Sequence, residues 1–389
     1  MTHANHNKSK KLTSLAAAAM ALPGMLPPVA ADTMPTETSI SYRHTQYQED
    51  DVSADLTASG EHSARYDINV DQFHILKPFA RDYTFSLNLV KESMTGASPY
   101  SNSLGVDGDP KLNMSGASID ESRTDLSGKV TKYSGQDTTS VSLGISTEHD
   151  YQAIFLGAEF SKLMNEQQST LSAGVEFSTD TIEPTQQQGF TRIDEESKSG
   201  LNSYVGWSQI LNQKTQWQTS ISLGYLDGYL SDPYKTFDVR PDSRLQLAWN
   251  HRLRRFFERF KASGHLDYRL YTDDWGIVSH TFKMAWYQQI DAQVTVVPNV
   301  RYYSQSQADF YYSIDNSLRT GEQSSDYRLS PYGAITTGVQ LIARFGQWRT
   351  ILSVDRYDSS ADYALGEVST ESPGLVDFLY FTFGFDYSF

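Results

Sequence analysis

Hydrophobic and polar residues alternate with a period of two through most of this chain, and no long stretch sustains the stripe of an amphipathic helix. The last run is the clearest: Phe381, Phe383, Phe385, Tyr387 and Phe389 share one face, and Thr382, Gly384, Asp386 and Ser388 share the other. The same two-sided pattern marks Trp217, Thr219, Ile221, Leu223 and Tyr225, and Leu171, Ala173, Val175 and Phe177. It recurs in Tyr83, Phe85, Leu87 and Leu89, in Val141, Leu143 and Ile145, and in Tyr66, Ile68 and Val70. An aromatic and aliphatic face backed by small polar residues suits a strand with hydrocarbon on one side and water on the other.

The connections between these strands alternate in length. Short turns are expected at Lys77-Pro78, Ser134-Gly135, Asn165-Glu166, Asn212-Gln213, Phe256-Phe257, Ile290-Asp291 and Gly346-Gln347. Between them lie longer polar stretches near residues 48–61, 93–117, 179–198, 227–243, 304–326 and 358–375, with two short connections at His149-Asp150 and Asp273-Asp274. Short turns on one rim and long loops on the other characterise outer-membrane barrels, whose short turns are periplasmic. The chain therefore reads as all-β: a single antiparallel transmembrane barrel of about 16 strands, within roughly 14 to 18. An even count returns the C-terminus to the periplasm, and Phe385, Tyr387 and Phe389 form the expected membrane-insertion signal.

The first residues change the picture at one end. Lys8, Lys10 and Lys11 precede the apolar run from Leu15 to Leu22, and Val29-Ala30-Ala31 offers small residues for cleavage. Residues 1–31 thus read as a secretory signal peptide and residues 32–389 as the barrel. The chain lacks cysteine, which excludes disulfides and thiol chemistry, and no other apolar stretch approaches the roughly 20 residues of a membrane helix. Its 24 Tyr, 19 Phe and 6 Trp make it rich in aromatics, as a membrane barrel is, although a soluble β-sandwich could share that composition. A net charge of -15, more negative still without the leader's lysines, argues against a nucleic-acid partner.

Several loop-side segments resemble the family of outer-membrane barrels known as domain of unknown function 3570. They are Glu92-Ser93-Met94-Thr95-Gly96-Ala97-Ser98-Pro99, and Ser231-Asp232-Pro233-Tyr234-Lys235 followed by Arg240-Pro241-Asp242-Ser243-Arg244. Tyr271-Thr272-Asp273-Asp274-Trp275-Gly276-Ile277 and the run from Tyr302 to Phe310 complete the set. The resemblance implies a barrel without an established substrate in an envelope redox setting, and hence a periplasmic lipoprotein or redox protein as partner. The other partners expected are outer-membrane lipid and the barrel-assembly machinery. No cofactor is expected, and a haem attachment motif is impossible without cysteine.

If the apolar face of each strand meets lipid, the intervening residues line the lumen. A basic wall is then expected from Arg244, Arg252, Arg254, Lys261, Arg269, Lys283, Arg301, Arg344 and Arg349. An acidic wall is expected from Asp67, Asp71, Glu121, Asp125 and Glu176, with Arg123 and Lys129 among them. Opposed walls would set a transverse field across a water-filled pore, whereas in a filled barrel the same charges would pair.

The expected function is a porin-like channel or export conduit for small or charged solutes. The alternatives are a non-conducting docking barrel for an envelope partner and an outer-membrane hydrolase. No catalytic residue is expected: adjacent Ser279 and His280 would face opposite sides of a strand, and His265 with Asp267 lacks a nucleophile motif. Asp107-Gly108-Asp109, Asp227-Gly228, Asp232-Pro233 and Asp273-Asp274 could offer oxygens to calcium, but turn chemistry accounts for aspartate beside glycine or proline, and no metal site is assigned.

Overall fold

A computed structural model describes residues 34–115, 119–186 and 191–389; the expected signal peptide lies outside the described residues. The strands in chain order are β1 (Ser39–Glu49), β2 (Asp67–Phe79), β3 (Tyr83–Gly96), β4 (Pro99–Leu104), β5 (Pro110–Met114) and β6 (Ile119–Ser134). They continue with β7 (Asp137–Thr147), β8 (Tyr151–Met164), β9 (Ser169–Ile182), β10 (Glu196–Asn212), β11 (Thr215–Gly228) and β12 (Ser243–Phe257). The last are β13 (Ala262–Asp273), β14 (Val278–Gln289), β15 (Val294–Gln305), β16 (Tyr332–Phe345), β17 (Trp348–Ser360) and β18 (Phe378–Ser388). All but β4 and β5 close into one antiparallel barrel of 16 strands, while β4 and β5 form a separate hairpin in the connection between β3 and β6.

Closure depends on the ends of the chain. β1 pairs with β18 from Ser39 opposite Ser388 to Glu49 opposite Phe378. Beyond the last rung Thr38 and Phe389 exchange both backbone hydrogen bonds, at 3.0 and 2.9 Å. The C-terminal residue therefore closes the ladder as well as ending the aromatic face.

The outward face carries the apolar band the alternation predicts. Leu379, Phe381, Phe383 and Phe389 are exposed on β18, Val141, Leu143 and Ile145 on β7, and Ile221, Leu223 and Tyr225 on β11. Such a surface is stable only against hydrocarbon. The long connections all leave one rim, together with the short connections 148–150 and 274–277, and the other rim carries short turns alone.

The details differ from the sequence expectation at three places. On β2 the phase is reversed: Phe73, Ile75 and Phe79 face out, whereas Ile68 and Val70 are buried inside with Met94 and Tyr234. Asp67 and Asp71 consequently lie on the outer face, not in the acidic wall, and Asp71 accepts hydrogen bonds from Tyr42 Oη at 2.6 Å and from His44 at 2.9 Å. Lys77-Pro78 remains within β2, the turn falling at residues 80–82. Phe256-Phe257 likewise ends β12, and a single 3₁₀ turn at Glu258–Phe260 follows, with Lys261 in the left-handed conformation after it. Lys261 is therefore a rim residue, not part of a strand wall.

Candidate functional site

The basic half of the lumen is built by strand register. Leu245, Leu247, Trp249 and Leu253 face lipid on β12, which turns Arg244, Arg252 and Arg254 inward. Arg252, Asp267, Lys283 and Arg301 then stand directly opposite one another on the consecutive strands β12 to β15, an inward row of three cations and one carboxylate. Arg252 donates from Nε to Asp267 at 2.7 Å; Lys283 and Arg301 have no ion pair among the described residues. Nearby, Arg269 lies over the Tyr271 ring at 5.2 Å and Arg301 over the Tyr303 ring at 5.3 Å. Arg254, opposite His265, has a buried Nε without a hydrogen-bond partner. Arg344 and Arg349 line the short-turn end.

On the opposite half, β3 and β6 to β10, carboxylates predominate. Glu121, Asp125 and Glu176 face inward between outward Leu126, Val130, Val175 and Phe177, as the alternation predicts. Arg123 donates to Glu92 at 2.7 Å, Lys129 pairs with Glu159, and Lys198 lies 3.4 Å from Asp180. The lumen thus combines pairing within the acidic half and uncompensated cations in the basic half.

The long-loop mouth is spanned by a cap. Residues 97–115, 229–242 and 306–331 leave the ring at separated points and meet over it. Asn102 donates its backbone N–H to Asp315 at 2.7 Å, Thr236 N–H to Tyr100 O at 2.8 Å, and Val239 and Gln323 exchange backbone hydrogen bonds at 2.8 Å. At the centre, Asp326 is fully buried and accepts from Arg240 Nη2 at 2.8 Å and Arg328 Nε at 2.9 Å. Burial opposes its ionisation, but the fields of Arg328, Lys235 and Arg240 outweigh that penalty and hold the carboxyl well below the usual range. Asp238 takes Arg240 Nε at 2.8 Å, and Asp232, raised by burial against the field of Arg328, lies 3.4 Å from Arg328 Nη2. Tyr234 reaches from the same loop to Asp150, and its Oη accepts Thr185 N–H at 3.1 Å.

The sequence model described as "Protein of unknown function (DUF3570)" matches residues 12–376. The chain belongs to this family. No curated protein matches it. Among solved structures, it is similar to a bacterial polysaccharide outer membrane secretin, with TM-score 0.49 and 7% identity over 92% of this chain and 100% of that one. It is also similar to CdiB from Acinetobacter baumannii, with TM-score 0.51 and 9% identity over 92% of this chain and 61% of that one. For OpdQ from Pseudomonas aeruginosa the TM-score is 0.43, with 8% identity over 92% of this chain and 99% of that one. At such identities the likeness is one of fold alone.

The segments that resemble DUF3570 meet in and around the cap. Gly96 has φ +136, and a Cβ there would overlap the carbonyl of Arg65, so only glycine allows this approach. Ser93 faces outward on β3, Ser98 N–H donates to Ser115 Oγ at 3.2 Å, and Pro99 O accepts from Lys235 Nζ at 3.4 Å. Asp232 Oδ1 accepts Tyr234 N–H at 3.0 Å across Pro233, and Arg240 N–H donates to Ser231 Oγ at 3.0 Å. Past Pro241, Asp242 O accepts Gly228 N–H at 2.8 Å. Asp273 Oδ1 accepts the N–H groups of Trp275 and Ile277 at 3.1 and 2.9 Å, while its Oδ2 takes Arg244 Nε at 3.0 Å. Asp274 Oδ1 accepts Leu245 N–H at 2.9 Å, and buried Trp275 donates to Ser243 O at 2.9 Å beneath Arg244.

Ser279 and His280 lie on opposite faces, His280 accepting or donating at 2.9 Å to Tyr268 Oη on the outer surface. His265 faces the lumen against the Tyr287 ring at 4.3 Å. Sequence reasoning missed the buried pair in which Arg65 Nε donates to Glu49 at 2.8 Å under the cap, and it missed Asp326 and Arg328. The only signal was the unusual density of aspartate and arginine in polar loops.

Proposed function

We propose that this protein is an outer-membrane conduit for small anionic solutes, covered on its long-loop side by the cap. The observation that carries this reading is the inward row Arg252, Asp267, Lys283 and Arg301, in which three cations share one carboxylate. Arg254 and Arg269 add charge beside it without any ion pair among the described residues. A barrel of 16 strands leaves an aqueous interior unless side chains fill it. The net charge of -15 repels anions at a distance, but at 0.15 M salt the Debye length is about 8 Å. Neighbouring strands sit about 4.8 Å apart, so the lumen's own cations decide selectivity. On this reading residues 1–31 direct export, the short turns face the periplasm, and no residue has a catalytic role.

Reversal potential in a salt gradient across planar bilayers tests the proposal. The native barrel should prefer anions despite its acidity, and the double variant Arg269→Glu with Arg301→Glu should lose or invert that preference. A barrel that never conducts, or a strong cation preference unchanged by the double variant, would refute it.

A further inference from the structure

At the short-turn end of the lumen lies a cleft of about 360 Å³ lined by Arg344, Arg349, Lys261, His265, Tyr287 and Phe256. We propose that this cleft is a binding site for an organic anion, a phosphate or carboxylate carried on a flat apolar group. That the cleft loads this anion into the conduit rests on the conduit reading; the binding itself does not.

Arg344 on β16 and Arg349 on β17 are direct cross-strand partners, and both point inward, their neighbours Phe345 and Trp348 being exposed on the lipid face. Like charges placed directly opposite destabilise a sheet. Too little carboxylate is present to relieve them. Asp386 lies 3.3 Å from Arg349 Nη1 but is already taken by Arg43 Nη2 at 2.6 Å, and Arg344 has no ion pair among the described residues. The Nε of Arg349 is buried without a hydrogen-bond partner.

Two guanidinium groups side by side match the paired oxygens of a phosphate or carboxylate, and Lys261 at the rim adds a third cation. The remaining wall is apolar: Phe256 and Tyr287 line the cleft, and Tyr287 packs against the inward cluster of Ala285, Val297, Ile342 and Ile351. An inorganic ion would use only the charged half. An anion with an aromatic or aliphatic ring would use both.

Calorimetric titration of the detergent-solubilised barrel at low ionic strength tests this, with phenyl phosphate, inorganic phosphate and benzyl alcohol as probes. Phenyl phosphate should bind saturably, inorganic phosphate more weakly and benzyl alcohol not at all. Arg344→Gln should weaken phenyl phosphate about tenfold or more, the loss of one charged hydrogen bond, while Arg344→Lys retains part of the affinity. The ligand-free Arg344→Gln barrel should melt no lower than the native one, because the repulsion is gone. Absence of saturable phosphate binding, equal affinity in native and Arg344→Gln protein, or a lower melting point for the ligand-free variant would each overturn the assignment. Phenyl phosphate binding in a barrel that passes no current would uphold the site and sink only its loading role.

Discussion

Replacing Asp326 with asparagine should loosen the cap while leaving the barrel intact. The isosteric amide keeps an acceptor for the Arg328 N–H that Asp326 now binds at 3.0 Å, so the local turn survives, but the charge that holds Arg240 and Arg328 is lost. Removing one partner from a buried ion pair costs about 3–5 kcal/mol. Arg240 retains Asp238 at 2.8 Å and Arg328 retains Asp232 at 3.4 Å, which places the loss near the lower end, about 3 kcal/mol. That corresponds to roughly a hundredfold increase in the cap's opening equilibrium. Amide hydrogen exchange reads this directly, because Leu329, Ser324 and Gln323 donate their N–H groups within or across the cap at 2.9, 3.0 and 2.8 Å. Exchange in peptides spanning residues 306–331 should accelerate by about that factor, with β18 unchanged as the control. Unchanged exchange in the cap, or equal acceleration in β18, would refute the reasoning.

Gly338→Ala should lower the thermal unfolding midpoint through a loss of about 1–3 kcal/mol, because the new methyl would overlap the Asp355 carboxylate that accepts Asn299 Nδ2 at 3.0 Å. Asp267→Asn removes the only carboxylate of the central row and should shift the reversal potential further toward the anion value. Protection of the β7–β8 connection should also depend on pH. Burial pushes Glu148 up to about 7 against the opposing field of Arg123, so the folded connection binds a proton that a hydrated Glu148 would release near its ordinary value of 4.5. Local protection, corrected for intrinsic exchange, should therefore fall as pH rises from 4.5 to 7, and Glu148→Gln should flatten that limb. In the cap Asp326 acts with the opposite sign: its contribution is complete above about pH 4 and is lost only as pH falls through its depressed value.

The barrel was legible because lipid enforces a period of two on strands such as β7, β11 and β18, and because loop lengths alternate with rim. β2 shows where that reasoning stops. Ile68 and Val70 are as apolar as Phe73 and Ile75, but the first pair lies in the interior beneath the cap and the second against lipid. A hydropathy pattern cannot distinguish these two dry environments, so it sets the phase from the wrong pair and places Asp67 and Asp71 in the lumen. Lys261 lines the lumen from the rim and not from a strand, because the 3₁₀ turn Glu258–Phe260 inserts residues between strands without disturbing the apolar pattern on either side. The cap was invisible altogether. Its central contacts join Arg240 to Asp326 across 86 positions and Tyr234 to Asp150 across 84, separations that no local pattern records.

If the cap of the conduit proposed above parts in water, its ionic centre costs less to open than the apolar cluster beside it. Opening an apolar core exposes hydrocarbon at about 25 cal/mol per Å², a cost that water does not reduce. Opening the Asp232, Asp238, Arg240, Asp326 and Arg328 cluster breaks strong pairs, but each group regains hydration that burial had removed. The closed geometry stays well specified, since each charge has a defined partner, while the free-energy cost of separation is partly offset by solvent. The cap also holds an apolar cluster, in which Ala308, Phe310, Tyr311 and Leu329 pack with Trp275 and Ile277, and separating that loop would expose hydrocarbon as well. The same ionic chemistry fits the aspartate, arginine and turn-formers of the segments that resemble DUF3570: they encode the polar contacts that hold the cap over the long-loop mouth.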